Sequence, residues 1–185
     1  MIFHKIKSHA KINLALNIIG KTSKIHKIES IVAFTSLHDE IRIKKIESSN
    51  HNISFEGKFS NKIGKNNTIS KLLELLEKRK LLKNNKFKIR IIKRIPSKAG
   101  LGGGSMNAAS ILRYFINKKI IKISKKEIEK ICKLIGSDVI LGLNFRNTIL
   151  TSKNKIKHFK NSKKFYTLIV KPNFGCSTKD IYMKV

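Results

Sequence analysis

The residues from Pro96 to Asn107 read Pro-Ser-Lys-Ala-Gly-Leu-Gly-Gly-Gly-Ser-Met-Asn, with Gly100, Gly102, Gly103 and Gly104 falling within five positions. Glycine accepts a positive φ and lets the backbone approach a ligand, so successive N–H groups can converge on one anion. A helix that starts at such a loop adds the positive end of its dipole in the same direction. Phosphate is the natural guest. The loop lacks the closing Gly-Lys-Ser/Thr of a Walker A motif and the GxGxxG spacing of a dinucleotide-binding turn. A flexible surface turn is the plain alternative, and the dense glycines between a strand and a helix argue against it.

The elements that must position this loop are legible on both sides. KFKIRIIKRI (86–95) reads as a strand stopped by Pro96. After the loop, Ala108, Ile111, Leu112 and Phe115 share one side of a helix. At the N-terminus, residues 2–18 alternate. Ile2, Ile6, Ala10, Ile12, Leu14, Leu16 and Ile18 occupy even positions. Lys5, Lys7, His9, Lys11, Asn13 and Asn17 occupy odd ones, which predicts a long half-buried strand with one polar face. Further strands are expected over 28–34, 40–46, 147–151 and 165–170, and more weakly over 51–57. Asn67 or Thr68 can cap a helix carrying Ile69, Leu72, Leu73 and Leu76. Ser124 and Glu127 form a capping box for a third helix with Ile128, Ile131, Cys132 and Ile135, and Gly136 offers a left-handed stop. Ser177 and Asp180 open a final short helix. Strands come first and then mix with helices, which predicts an α+β fold with a layered sheet and helices packed on one face.

The 185 residues suit one domain, or one and part of a second. A hydrophobic share of 41% excludes wholesale disorder. No apolar run approaches the ~20 residues needed to span a bilayer. The opening MIFHKIKSHAK lacks the apolar core of a secretory signal. Cys132 and Cys176 lie far apart without a Cys/His cluster, which argues against a disulfide scaffold or zinc site and for a reducing, cytoplasmic setting. The net charge is +30, from 35 lysines but only 6 arginines, alongside 31 isoleucines and 16 asparagines. Codons rich in A and T favour all three abundant residues, and the lysines are spread along the chain. A solvated basic surface is the simplest reading, with an RNA- or membrane-binding surface as the alternative.

PSKAGLGGGSMNAA resembles the phosphate-binding motif of the GHMP kinases, the superfamily of galactokinase, homoserine kinase and mevalonate kinase. Three further segments agree in order and approximate spacing: SHAKINLALNIIGK (8–21), IGSDV (135–139) and KPNFGCSTKDIY (171–182). Within the family these are most similar to the branch that phosphorylates a cytidylated polyol in the non-mevalonate route to isoprenoids. The resemblance implies an N-terminal ATP-binding domain over 1–170, with 171–185 beginning a connection to a C-terminal domain. It implies ATP with Mg²⁺ held by the nucleotide phosphates rather than by a protein cage, a small cytidylated substrate, and no specific nucleic acid or membrane partner. A separate C-terminal domain or self-association is also expected, with little turnover by this chain alone.

Carried over by position, Lys11 and Asp138 match the family's catalytic pair. Asp138 can orient the acceptor hydroxyl and take its proton. Lys11 can keep the aspartate charged and offset charge on the moving phosphoryl group. Residues 96–106 (Pro96, Ser97, Lys98, Ala99, Gly100, Leu101, Gly102, Gly103, Gly104, Ser105 and Met106) match the phosphate loop. Asn67 matches a position near the adenine. Asn13 shares the strand face of Lys11 and is placed for substrate contact. His26 matches a histidine that reads the cytosine edge, and Tyr182 an aromatic that stacks on the ring. The chain departs from the pattern at Lys24-Ile25, where relatives have Gly-Tyr. It also departs at Met106, which stands for a serine, and at Ile140, which stands for a proline. Two other readings stand beside the kinase: a truncated or decayed inactive relative, and a basic RNA-binding module, since the domain resembles a ribosomal-protein fold.

Overall fold

A computed structural model describes residues 2–21, 26–61, 63–152, 155–160 and 164–172. The elements run β1 (His4–Lys21), β2 (His26–Ile46), β3 (Asn52–Glu56), α1 (Thr68–Lys78), β4 (Lys86–Ile92), α2 (Gly103–Asn117), α3 (Lys125–Ile135), a 3₁₀ turn (Val139–Leu143), β5 (Thr148–Leu150) and β6 (Ile156–His158). The strands form one sheet in the order β3-β4-β2-β5-β6, with β1 paired along β2. Among the described residues only β3 and β4 are parallel, and the chain between them is occupied by α1.

The long β2 organises the sheet. Its C-terminal half pairs with β4 from Glu40–Ile92 to Ile46–Lys86, and its N-terminal half pairs with β5. The helices cover one sheet face. Phe87, Ile89 and Ile91 alternate inward from β4 and join Ile41 and Ile43 of β2. Against them pack Leu72, Leu73 and Leu76 of α1, Ile111, Leu112 and Phe115 of α2, and Ile131 and Cys132 of α3. The expected α+β layering is observed. No helix among the described residues is long and apolar enough to cross a membrane.

Local differences have physical causes. The two segments 28–34 and 40–46 belong to one strand, because β1 pairs with it from His26 to Ile43 and β4 continues the ladder to Ile46. The alternation of β1 fails because its register slips three times. One slip falls between His9 and Lys11, one between Asn13 and Ala15, and one between Ile18 and Gly20. An extra residue reverses which face the next side chains meet. Leu14, Leu16 and Ile19 are consequently exposed. Residues 165–170 are not a strand; Phe165, Tyr166, Leu168 and Val170 are exposed and their backbone joins no ladder. Gly136 ends α3 in an extended conformation (φ 170°, ψ 150°), not a left-handed one. Ser124 accepts from the Glu127 N–H, but the Glu127 carboxylate reaches across to Arg79 at 2.6 Å, so the box is half formed. The full capping box belongs to α1, with Asn67 and Ser70. The expected helix at Ser177–Asp180 and Cys176 lie outside the described residues.

Candidate active site

The glycine loop is held from three directions. Leu101 is buried with Ala10 and Ile95, and its carbonyl accepts a hydrogen bond from the Lys11 N–H at 3.0 Å. Thr68 at the start of α1 donates its hydroxyl to the Gly104 carbonyl at 2.8 Å. Gly102 adopts a left-handed conformation (φ 67°), and a Cβ there would lie 2.8 Å from Lys11 Cγ. Glycine is thus required twice, for the turn and for the closeness of Lys11. Gly100 also has a positive φ but faces open space. These anchors exclude the flexible-turn alternative.

The loop delivers α2 with a bare N-terminus. Asn67 caps α1 and Ser124 caps α3, whereas Gly102 gives α2 no side-chain cap and its first turn holds no acid. The first internal bond of α2 runs from the Met106 N–H to the Gly102 carbonyl at 2.9 Å. The N–H groups of Gly103, Gly104 and Ser105 therefore have no acceptor within the helix. With the helix dipole they suit a phosphate group.

Lys11 reaches this loop through the first irregularity of β1. His9 pairs with His38 and Lys11 with Phe34, so two steps along β1 span four along β2. Adjacent Ala10 and Lys11 are both buried as a result, at 0% and 7% exposure. The Lys11 Nζ lies 3.3 Å from Asp138 Oδ2 and donates to Asn13 Oδ1 at 2.7 Å. Asn13 in turn donates to Ser30 Oγ at 2.6 Å, and the Ser30 hydroxyl donates to the Ala15 carbonyl at 2.8 Å. Asp138 sits in the turn between α3 and the 3₁₀ segment, more than a third of its side chain open. That turn is drawn against α2 by Gly142, where a Cβ would lie 2.7 Å from the Ala109 Cβ and 2.9 Å from Met106 Sδ. The predicted pair Lys11 and Asp138, 127 positions apart in sequence, is therefore in contact, with Asn13 on the same face.

Other predicted residues are placed less directly. Pro96 to Ala99 form the outer arc of the loop, with Ser97 and Lys98 exposed. Met106 is fully buried against Gly142, so its side chain belongs to the core. Ile140 likewise packs on the core. Asn67 lies beside the loop, but its amide is occupied. Oδ1 accepts from the Ile69 and Ser70 N–H groups, and Nδ2 donates to the Gly64 and Lys65 carbonyls. His26 begins β2, where its backbone pairs with Lys21. Its side chain lies outside the described structure, as do Tyr182 and Ile25.

A buried carboxylate beneath the loop escaped the sequence reading. Asp39 is fully buried, and four donors converge on it. Oδ1 accepts from the N–H groups of Arg94 (2.7 Å) and Ile95 (2.8 Å). Oδ2 accepts from Asn107 Nδ2 at 2.9 Å and from the buried Lys93 ammonium. One side chain thereby ties the end of β4 and the first turns of α2, the two flanks of the loop, to β2. An acid just ahead of the expected strand over 40–46, in a chain with only 11 acids, was the available signal.

Residues 67–144 match the family model described as GHMP kinases N terminal domain. The matched span begins at the Asn67 cap, holds the glycine loop and ends beyond Asp138. Over this span the chain is similar to the N-terminal domain of the GHMP kinases. It is 60% identical to a 4-diphosphocytidyl-2-C-methyl-D-erythritol kinase of Pelagibacter ubique, over 98% of this chain and 64% of that protein. It is 36% identical to the enzyme of the same name from Clostridium botulinum, over 95% of this chain and 62% of that protein. The chain thus spans somewhat under two thirds of the length of these curated relatives. Among solved structures, a 4-(cytidine 5'-diphospho)-2C-methyl-D-erythritol kinase superposes with a TM-score of 0.68 at 24% identity, covering 84% of this chain and 55% of that one. That likeness shows a shared fold. Nothing in these matches supports the RNA-binding alternative.

Proposed function

We propose that this GHMP domain transfers the terminal phosphoryl group of ATP to a hydroxyl of 4-diphosphocytidyl-2-C-methyl-D-erythritol. The product is the 2-phosphate, a cytoplasmic step of isoprenoid synthesis by the non-mevalonate route. The observation that carries the reading is the Lys11–Asp138 ion pair, stitched by the Lys11 backbone to the uncapped start of α2. The names of the relatives supply the substrate.

The chemistry follows from what each group can do. Phosphoryl transfer needs positioning and charge neutralisation more than covalent help. The free N–H groups of Gly103, Gly104 and Ser105 bind phosphate oxygens and fix their orientation. Lys11, held between Asp138 and Asn13, places a positive charge at the loop mouth, where it offsets negative charge on the moving group. Asp138 accepts the proton of the attacking hydroxyl. Asn13 retains one N–H for a substrate oxygen, since Ser30 uses only the other. Mg²⁺ bound to the phosphates would supply further neutralisation and needs only one or two protein oxygens. The Ser105 hydroxyl at the end of the loop is a suitable one. Asn67 borders the space for the adenine, with its amide committed to the helix cap. His26 and Tyr182 remain the proposed contacts to the cytosine, within a unit spanning 1–170 and the segment 171–185 after it.

The test is product formation. The chain is incubated with ATP, Mg²⁺ and the cytidylated alcohol, alone and supplemented with the remaining third of the Pelagibacter relative. Phosphorus NMR is expected to show a new phosphomonoester formed in step with ADP, absent with homoserine or mevalonate as acceptor. ADP release that does not depend on the cytidylated alcohol, in both arms, would overturn the assignment.

A further inference from the structure

We propose that Ser30 is a positioning residue for Lys11, acting through Asn13. The inference rests on the reading of Lys11 and Asp138 as the reacting pair. The chain of contacts runs Asp138–Lys11–Asn13–Ser30–Ala15, with links of 3.3, 2.7, 2.6 and 2.8 Å. Its two ends dictate its direction. A lysine ammonium has only donors, and a backbone carbonyl has only acceptors. The Asn13 carbonyl must therefore face Lys11, its NH₂ must face Ser30, and the Ser30 hydrogen must point at the Ala15 carbonyl. Any other orientation of amide or hydroxyl sets donor against donor or leaves an acceptor unpaired.

The fold makes this possible at one place. The register slip between Asn13 and Ala15 gives β1 two steps against one on β2, opposite Val32 and Ile31. Ser30 lies just beyond, 3% exposed, on the strand that pairs with both β1 and β5. Its hydroxyl bridges the two sides of the slip, taking the Asn13 side chain from one and the Ala15 carbonyl from the other. A buried serine with both roles filled is a rigid post. It holds the amide plane of Asn13 against rotation, and through it the Lys11 ammonium beside Asp138 and the loop mouth. Without the hydroxyl, Asn13 loses its anchor and Lys11 keeps only the half-open Asp138 carboxylate as a fixed partner.

The isosteric pair Ser30→Thr and Ser30→Val isolates the hydroxyl from side-chain shape, and Ser30→Ala repeats the deletion without added bulk. Turnover is expected to persist in Ser30→Thr and to fall on the order of tenfold in Ser30→Val and Ser30→Ala, the scale of one lost hydrogen bond. ATP affinity by calorimetry should stay within about twofold, since the loop's own anchors are untouched. A second readout does not need turnover. In protein labelled with ¹⁵N-lysine and cooled, the Lys11 ammonium should exchange its protons slowly in the native and Thr forms and rapidly in the Val and Ala forms. Equal protection in all four would overturn the role of Ser30. So would a loss of turnover matched by an equal loss of ATP affinity. A protected ammonium that responds to Ser30 in a protein that transfers no phosphate would instead refute the functional reading and leave the positioning intact.

Discussion

At the scale of single residues, the site depends on side chains whose freedom has been removed. Lys11 is pinned by an ion pair, an amide and a glycine that leaves room for its methylenes. Gly102→Ala adds a Cβ 2.8 Å from Lys11 Cγ at a residue with φ 67°. It should cost roughly 1 kcal/mol in stability through the left-handed backbone alone, and displacing Lys11 should lower turnover at least ~10-fold. Thermal melting and steady-state kinetics on the one variant separate the two effects; full activity would show that Lys11 tolerates the shift. Gly103→Val meets Ile95 Cγ2 at 3.0 Å and the Lys93 ammonium at 3.2 Å. Its first consequence is therefore strain against the segment leading into the loop, and weakened ATP binding follows from that. Calorimetry showing native ATP affinity would count against the phosphate-loop assignment.

At the scale of elements, His51 links three of them just before β3. Its Nδ1 accepts the Phe87 N–H of β4 at 3.0 Å, and its Nε2 faces the Glu77 carboxylate of α1 at 3.1 Å. Burial holds the imidazole below its usual pKa, with Lys86 acting in the same direction and Glu77 against it. The Lys86 hydrogen bond likewise holds the Glu77 carboxyl low. Both groups bind protons more readily in the unfolded chain. The His51 contribution is thus full above the unfolded histidine value and falls as pH drops below ~6.5, and the Glu77 contribution falls as pH drops below ~4.5. His51→Gln should flatten the upper part of that decline; an unchanged melting curve between pH 7 and 5 would contradict the burial argument. Asn67→Ala should cost about 1 kcal/mol by removing the α1 cap, with a smaller effect on ATP because Thr68 still holds Gly104. A large selective loss of ATP affinity would instead restore Asn67 as a direct nucleotide contact.

For the whole molecule, the excess of 41 basic over 11 acidic residues is spread along the whole sequence. Binding to any polyanion should therefore weaken linearly in log–log plots against salt, without preference for structured RNA. A salt-resistant preference for one RNA fold would favour the RNA-binding reading instead. Much of the architecture was legible in the sequence, because glycine punctuation and period-3.6 faces act locally. The α1 cap at Asn67 and the inward faces of α2 and α3 are examples. What stayed hidden depends on strand partners that no local pattern reports. The register slips of β1 bury Lys11 and expose Leu14. The convergence of Arg94, Ile95 and Asn107 on Asp39 joins residues more than 50 positions apart. Residues 165–170 show the reverse failure, since their apolar pattern suits a strand but no neighbour among the described residues pairs with them. The pairing of Lys11 with Asp138 came from a family resemblance, and the geometry brings the two together at the loop. The central claim is most directly tested in Asp138→Asn, which keeps the shape and removes the proton acceptor. Phosphoryl transfer to the cytidylated alcohol should fall by about 10²–10⁴ while ATP affinity stays within a few-fold of native. Transfer at the native rate in this variant would contradict the account.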